Sequence, residues 1–336
     1  FDEAALAAVS KAGYNFVLNT IETRSGLDTL FNNAIKGTLN ISNDIKSCDT
    51  IDAAKVALMD KGQGRFRDHP SVLGLWADDP ENADNTDGTP LPESTRVKLT
   101  NMREVLKTHI PDYPLLGAIS NLPRLSTSVP FVDVIVAYRY PVPQYHPMDI
   151  YGMTMAYVNS VSQGKPVMFN SQAVDLGYGA RFKSTEGSRP TPAEVRAMAF
   201  YSLVIGTNGF SLYANYINPK MADQWTELLR IGREMRHLAP VLAGGRDVSS
   251  VSLKKDSTHG SIFFREIEYN GLHTLIAVNL SGGRVMAHWQ FEKPTRAIVL
   301  FEDRLMGEPA QEVPDLFEPF EVHLYQWGDA RYSYVE

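Results

Sequence analysis

Two adjacent carboxylates, Asp78 and Asp79, close an apolar run in the stretch Leu73-Gly74-Leu75-Trp76-Ala77-Asp78-Asp79-Pro80-Glu81-Asn82. Charge delivered by a buried strand is costly unless it is used. Crowding two like charges also raises the pKa of one of them, as a proton donor requires. The competing reading is structural, because Asp-Pro pairs start turns and Asp caps helices. Other strand-like runs end in similar groups. One offers Glu22, another Tyr138, Arg139 and Tyr140, and another Asn170 and Gln172 followed by Asp175 and Tyr178. The last ends at Tyr213. Carboxylates, amides and aromatic rings with almost no histidine or lysine suit a polyhydroxylated ligand. Rings stack on the apolar face of a sugar, and carboxylates and amides bind its hydroxyls. Cleaving a glycosidic bond needs two carboxyl groups, one as acid and one as base or nucleophile.

The elements that must carry these groups alternate. Helical spacing predicts helices over residues 2–12, 27–35, 50–68, 94–109, 149–162, 191–205 and 223–238, the last ending before Pro240. Short apolar runs predict strands over 14–21, 38–45, 71–77, 115–119, 132–137, 166–171 and 209–213. Thr191, Pro192 and Glu194 have the spacing of a capping box. Strands apolar throughout and separated by helices imply a parallel sheet covered on both faces. The expected fold is a (β/α)8 TIM-type barrel whose first strand lies before Phe1. A doubly wound sheet is the alternative, but no glycine-rich phosphate turn follows any strand. After Gly244-Gly245 the pattern changes to β-rich runs at 248–253, 260–269, 273–279, 285–290, 296–300 and 320–327, with turns such as Asn270-Gly271. The expected domains are therefore a barrel over 1–243 and an antiparallel β-sandwich over 246–330.

With 43% apolar and 21% charged residues, the 336-residue chain has ordinary globular composition. Its net charge of -7 argues against a nucleic-acid partner. No apolar stretch reaches the ~20 residues of a membrane span. The single cysteine, Cys48, excludes an internal disulfide and reads as a small core residue. The scattered histidines include no HxH or HExxH pair, so neither a metal nor another cofactor is expected. A start at Phe1 predicts a processed or truncated form. Localisation stays open, with the extracellular or periplasmic space favoured over the cytoplasm for a polysaccharide substrate. The oligomeric state is equally open.

Two segments resemble the clan A glycoside hydrolases. His69-Pro70-Ser71-Val72-Leu73-Gly74-Leu75-Trp76-Ala77-Asp78-Asp79-Pro80-Glu81 is similar to that family's strand-four segment, in which a Glu before a Pro is the acid/base. Pro190 to Met198 and Gly206 to Phe210 resemble its helix seven and strand eight. The resemblance implies a barrel followed by a sandwich, and hydrolysis of a β-linked poly- or oligosaccharide with Asp79 as proton donor. Asp78, Glu81, Asn170, Gln172, Tyr138, Arg139, Tyr140, Tyr178 and Tyr213 would shape the sugar site. The sequence departs from the family at both catalytic positions. Asp79 replaces Glu, and Gln172 stands where a nucleophilic carboxylate is wanted. Asp175 and Glu22 are the leading second carboxylates. The alternative is a carbohydrate-binding pseudoenzyme that cleaves nothing.

Overall fold

The computed structural model describes residues 3–18, 23–80, 91–119, 122–142, 147–173, 189–213, 222–255 and 262–328. Seven strands lie side by side in the order in which they occur in the chain. They are β1 (Phe16–Val17), β2 (Lys36–Asn40), β3 (Val72–Asp78), β4 (Leu115–Ile119), β5 (Val134–Arg139), β6 (Val167–Gln172) and β7 (Gly209–Tyr213). The helices between and around them are α1 (Glu3–Ala12), α2 (Arg24–Asn32), α3 (Ser42–Ile45), α4 (Ile51–Lys55), α5 (Glu93–His109), α6 (Leu122–Ser128), α7 (Pro147–Val161), α8 (Pro192–Val204) and α9 (Ala222–Gly244). Parallel neighbours in strict sequential order, separated by helices, are TIM-type architecture. The chain forms two compact units. One is Phe1–Tyr140, Tyr151–Asn170 and Thr207–Ser211; the other is Pro141–Ile150, Ser171–Gly206 and Leu212–Glu336.

In the first unit, side chains spaced two apart along the strands form the interior. Leu116 and Ala118 of β4 and Val134, Val136 and Tyr138 of β5 meet Trp76 of β3 and Met168 of β6. Phe169 takes the opposite face of β6 and packs its ring 4.0 Å from that of Tyr151 on α7. The start of β3 is tied down by His69. Its Nδ1 lies 2.9 Å from Ser71 Oγ, and its Nε2 3.0 Å from Asp28 Oδ1 on α2. The strand then passes unusually close to β4. A Cβ on Gly74 would stand 2.6 Å from the Pro114 carbonyl oxygen, which already accepts the Leu75 N–H. Gly74→Ala is therefore expected to destabilise the fold by about 1–3 kcal/mol, read as a lower urea midpoint with unchanged slope.

Four sequence expectations for the parallel sheet and its helices are corrected. The strand expected over 38–45 stops at Asn40. The Asn40 Oδ1 accepts from both the Ser42 N–H and its hydroxyl, and this side-chain turn starts α3 in place of more strand. The helix expected over 50–68 is α only to Lys55, then π-helical over Val56–Lys61 and 3₁₀ over Gln63–Phe66. The strands expected over 132–137 and 166–171 run two and one residues later.

In the second unit, α8 has the expected capping box. The Thr191 hydroxyl oxygen accepts the Glu194 N–H, and Glu194 accepts the Thr191 N–H. Within this unit Arg196 of α8 reaches Glu234 of α9 at 2.6 Å, and Arg230 donates to the same carboxylate at 2.9 Å. Helix α9 continues through Pro240 to Gly244, against expectation, with Leu238 and Val241 buried on either side of the proline. Apolar burial there outweighs the missing proline N–H.

The remainder of this unit is an antiparallel sandwich. One sheet has the order β14 (Arg304–Leu305), β13 (Ile298–Val299), β16 (Val322–Gly328), β11 (Leu272–Asn279), β10 (Ile262–Tyr269), β8 (Arg246–Val248). The other has the order β15 (Ala310–Phe317), β12 (Val285–Thr295), β9 (Val251–Lys255). The strand expected over 248–253 is two strands in different sheets. The chain switches at Ser250, where Glu266 accepts the N–H groups of Ser250 and Val251. Strand β15 was not expected, because Pro314 and the inward Asp315 hide its alternation. Val313, Asp315 and Phe317 are nonetheless its buried positions.

The sandwich core surrounds Trp289 and contains a polar network. Asp315 accepts from Arg304 at 2.7 and 3.1 Å and from the Tyr325 hydroxyl at 2.6 Å, and its Oδ2 lies 2.9 Å from His323 Nδ1. Trp289 Nε1 donates to the Tyr325 oxygen at 3.3 Å. Burial alone would lower the His323 pKa, but its bonds to Asp315 and Glu321 win and lift it to about 9. Burial would raise Asp315, and the bonds from His323, Arg304 and Tyr325 instead hold it well below the usual carboxylate range.

Candidate functional site

In a parallel barrel, groups for chemistry come from the C-terminal strand ends. In the first unit β3 delivers Asp78 and Asp79 there. Alternation puts Trp76 and Asp78 on the same face, and Trp76 is core, 3% exposed among Leu116, Val136 and Met168. The Trp76 indole N–H finds no acceptor among the described residues. The Asp78 backbone N–H donates to Ser42 Oγ at 2.8 Å, so the side-chain turn that ends β2 also holds the end of β3. Among the described residues no donor reaches the Asp78 carboxyl. By accessible surface Asp78 is exposed, yet enough protein surrounds its carboxyl for loss of hydration, with the Asp79 charge, to raise its pKa to about 6.

Asp79 leaves the strand in the left-handed region, with φ of 43°. Aspartate is among the few L-residues that visit this region readily. The turn breaks the period-two alternation, and the Asp79 carboxylate accepts the Tyr138 hydroxyl at 2.7 Å. Tyr138 in turn stacks on Tyr140, with centroids 5.4 Å apart and planes 30° apart. Asn170 Nδ2 donates to the Tyr140 hydroxyl oxygen at 3.3 Å, and Ser211 Oγ donates to Asn170 Oδ1 at 3.0 Å. One chain of contacts thus joins the ends of β3, β5, β6 and β7 within this unit. It brings together a carboxylate, two stacked rings, an amide and a hydroxyl, the group types that bind a pyranose.

Of the residues the sequence points to, Asp78, Asp79, Tyr138, Tyr140 and Asn170 come together here. Glu22, Glu81, Asp175 and Tyr178 lie outside the described residues, as does the Arg139 side chain. Gln172 belongs to the second unit, where it is fully buried and occupied. Its Nε2 donates to the Val142 carbonyl, and its Oε1 accepts the Val142 N–H, each at 2.9 Å. This amide copies a strand partner for Val142 and is not presented to a ligand. Tyr213, in the same unit, is half-buried, and its carbonyl accepts the Ala173 N–H. Sequence reasoning did not reach Ser211, Asn40 or Ser42. Alternation through β7 would have found Ser211, which shares a strand face with Tyr213. Cys48 is buried, its thiol pushed up to about 12 by burial and by the charges of Asp44 and Asp49, so it is no nucleophile. No group of three or more His, Cys, Asp or Glu among the described residues is placed to hold a metal, and no helix among them is long and apolar enough to cross a membrane.

No protein-family model matches the chain, and no curated protein matches it in sequence. Solved structures do match in fold. A β-galactosidase from Bacillus circulans sp. alkalophilus superposes with a TM-score of 0.65 at 8% identity, over 98% of this chain and 97% of that one. An α-amylase from Geobacillus thermoleovorans, complexed with acarbose, gives 0.61 at 11% identity, over 97% and 91%. A β-L-arabinopyranosidase from Geobacillus stearothermophilus, in complex with arabinose, gives 0.61 at 11%, over 98% and 94%. The chain therefore has the fold of the TIM-barrel glycosidases, a parallel barrel followed by an antiparallel β-sandwich. Identity this low carries the fold and nothing finer.

Proposed function

We propose that the strand ends of the first unit bind a carbohydrate and that the protein is a glycoside hydrolase acting on a β-linked poly- or oligosaccharide. The observation that carries this reading is the Asp78–Asp79 pair joined through the Tyr138 hydroxyl to the Tyr138–Tyr140 stack. A stacked aromatic pair beside two carboxylates can hold a sugar ring and place its glycosidic oxygen at a proton donor. The pair is the acid end of the site. Glu22 and Asp175 are the carboxylates to substitute for the second role.

One observation favours a second reading. The position at which the resembling family carries its nucleophile is Gln172, whose amide is spent on the Val142 backbone. A barrel that kept the sugar platform and lost the second carboxylate would bind carbohydrate without cleaving it. Reducing-sugar release across a polysaccharide panel separates the two. The wild-type protein is expected to release sugar, and the Asp78→Asn/Asp79→Asn double variant to fall by at least about 100-fold. Equal release by both would end the assignment of the Asp78–Asp79 pair as the acid. Retention on a polysaccharide with no release would establish the binding protein instead.

A further inference from the structure

Building on the hydrolase reading, we propose that Asp78, and not Asp79, donates the proton to the leaving sugar oxygen, with Asp79 as its positioning residue. Three features of the first unit divide the pair in this way. Asp79 already accepts a 2.7 Å hydrogen bond from the Tyr138 hydroxyl, which occupies one of its carboxylate oxygens and fixes its direction. Asp79 has also turned out of the strand at φ 43°, whereas Asp78 keeps the strand geometry that puts it above Trp76 on the interior face. No donor among the described residues reaches the Asp78 carboxyl, so it is open to a ligand oxygen, and its main chain is fixed by Ser42. Loss of hydration, and then the negative charge of Asp79, raise the Asp78 pKa to about 6. In the reaction the Asp78 O–H bond breaks as the glycosidic C–O bond breaks. The bond pair leaves with the departing oxygen, which takes the proton and departs as an alcohol. Water forms the new bond to the sugar carbon and gives one proton to the second carboxylate, so one water is consumed per bond cut.

Leaving-group chemistry reads the assignment, with 4-nitrophenyl and 2,4-dinitrophenyl glycosides of both anomers as probes. A dinitrophenolate departs without a proton, so losing the acid spares it. Asp78→Asn is expected to lower kcat/KM by about 100- to 10,000-fold on the 4-nitrophenyl substrate and by less than about 10-fold on the dinitrophenyl one. Asp79→Asn should depress both alike. It should also move the alkaline limb of the pH profile to lower pH, because removing the like charge lets Asp78 lose its proton sooner. Carbon-13 titration of the aspartate carboxyls supplies a readout independent of turnover. The signal with a midpoint near 6 should vanish in Asp78→Asn and persist at a lower midpoint in Asp79→Asn. The assignment is overturned if that signal survives Asp78→Asn, or if the leaving-group split belongs to Asp79→Asn. Wild-type protein inert on every glycoside overturns the hydrolase reading and the donor role with it, and the missing wild-type rate tells this apart from a wrong assignment within a working enzyme.

Discussion

Asp315→Ala is expected to cost the protein about 3–5 kcal/mol of stability, the range for breaking a buried charged network by removing one partner. The carboxylate takes hydrogen bonds from Arg304 and Tyr325 and faces His323 Nδ1, and all of them lie around the sandwich core that Trp289 fills. Truncation leaves the buried His323 without its strongest partner and the Tyr325 hydroxyl without its acceptor. The same network gives stability a pH signature. His323 has its folded pKa raised from 6.5 to about 9, so its contribution is complete below pH 6.5 and is lost as pH climbs through 9. Asp315 is held below its ordinary 3.8, so its contribution is present above that value and is lost as pH falls through the lower folded pKa. Urea unfolding of the intact chain should therefore show a plateau between about pH 4 and 6.5 with a decline on the alkaline side. Asp315→Asn should shrink that decline, since the main cause of the His323 shift is gone. A curve of unchanged shape in the variant would remove the network as its origin.

Tyr138→Phe is expected to lower kcat/KM on a cleaved glycoside by about 10- to 100-fold, the equivalent of the 1.5–3 kcal/mol of a hydrogen bond to a charged group. The substitution keeps the ring, and with it the stack on Tyr140 and the packing against the interior cluster around Trp76. It removes only the hydroxyl that holds the Asp79 carboxylate at 2.7 Å. Stability should change little. Binding of the sugar should weaken far less than turnover, since the platform is intact and only the aim of the carboxylate is lost. Tyr138→Ala provides the contrast, removing ring and hydroxyl together and weakening binding as well. If Tyr138→Phe turns over at the wild-type rate, the Asp79–Tyr138 bond has no part in the reaction.

The architecture was legible because its signals are local and repeated. Alternating apolar strands and helices between residues 14 and 238 fix a parallel sheet, and the change of period after Gly244-Gly245 fixes a second, antiparallel architecture. The Thr191–Glu194 capping box is set by residues three apart and forms as expected. The misses share a different cause. Pro240 breaks a helix in isolation, but burial of Leu238 and Val241 holds α9 together across it. Asp315 looks like a loop residue until Arg304, Tyr325 and His323, all distant from β15 in sequence or on other strands, close around it.

For the site, the sequence by itself determined where polar groups gather and of what kind. Period two places Asp78 above Trp76 and puts the Tyr138 and Tyr140 rings on one side of the chain at the end of β5, and no other element needs to be known for that. What each group does with its valences was decided only by the tertiary structure. The Tyr138 hydroxyl could have met any rim group, and it meets Asp79 because a left-handed turn, invisible to alternation, swings that carboxylate out of the strand. Gln172 looked available for a ligand until Val142 took both ends of its amide. A hydrogen bond depends on where two distant strands end to within a few tenths of an ångström. Side-chain type and spacing fix which groups are present, and only the packed barrel fixes which of them are already satisfied and which, like Asp78 among the described residues, meet no donor.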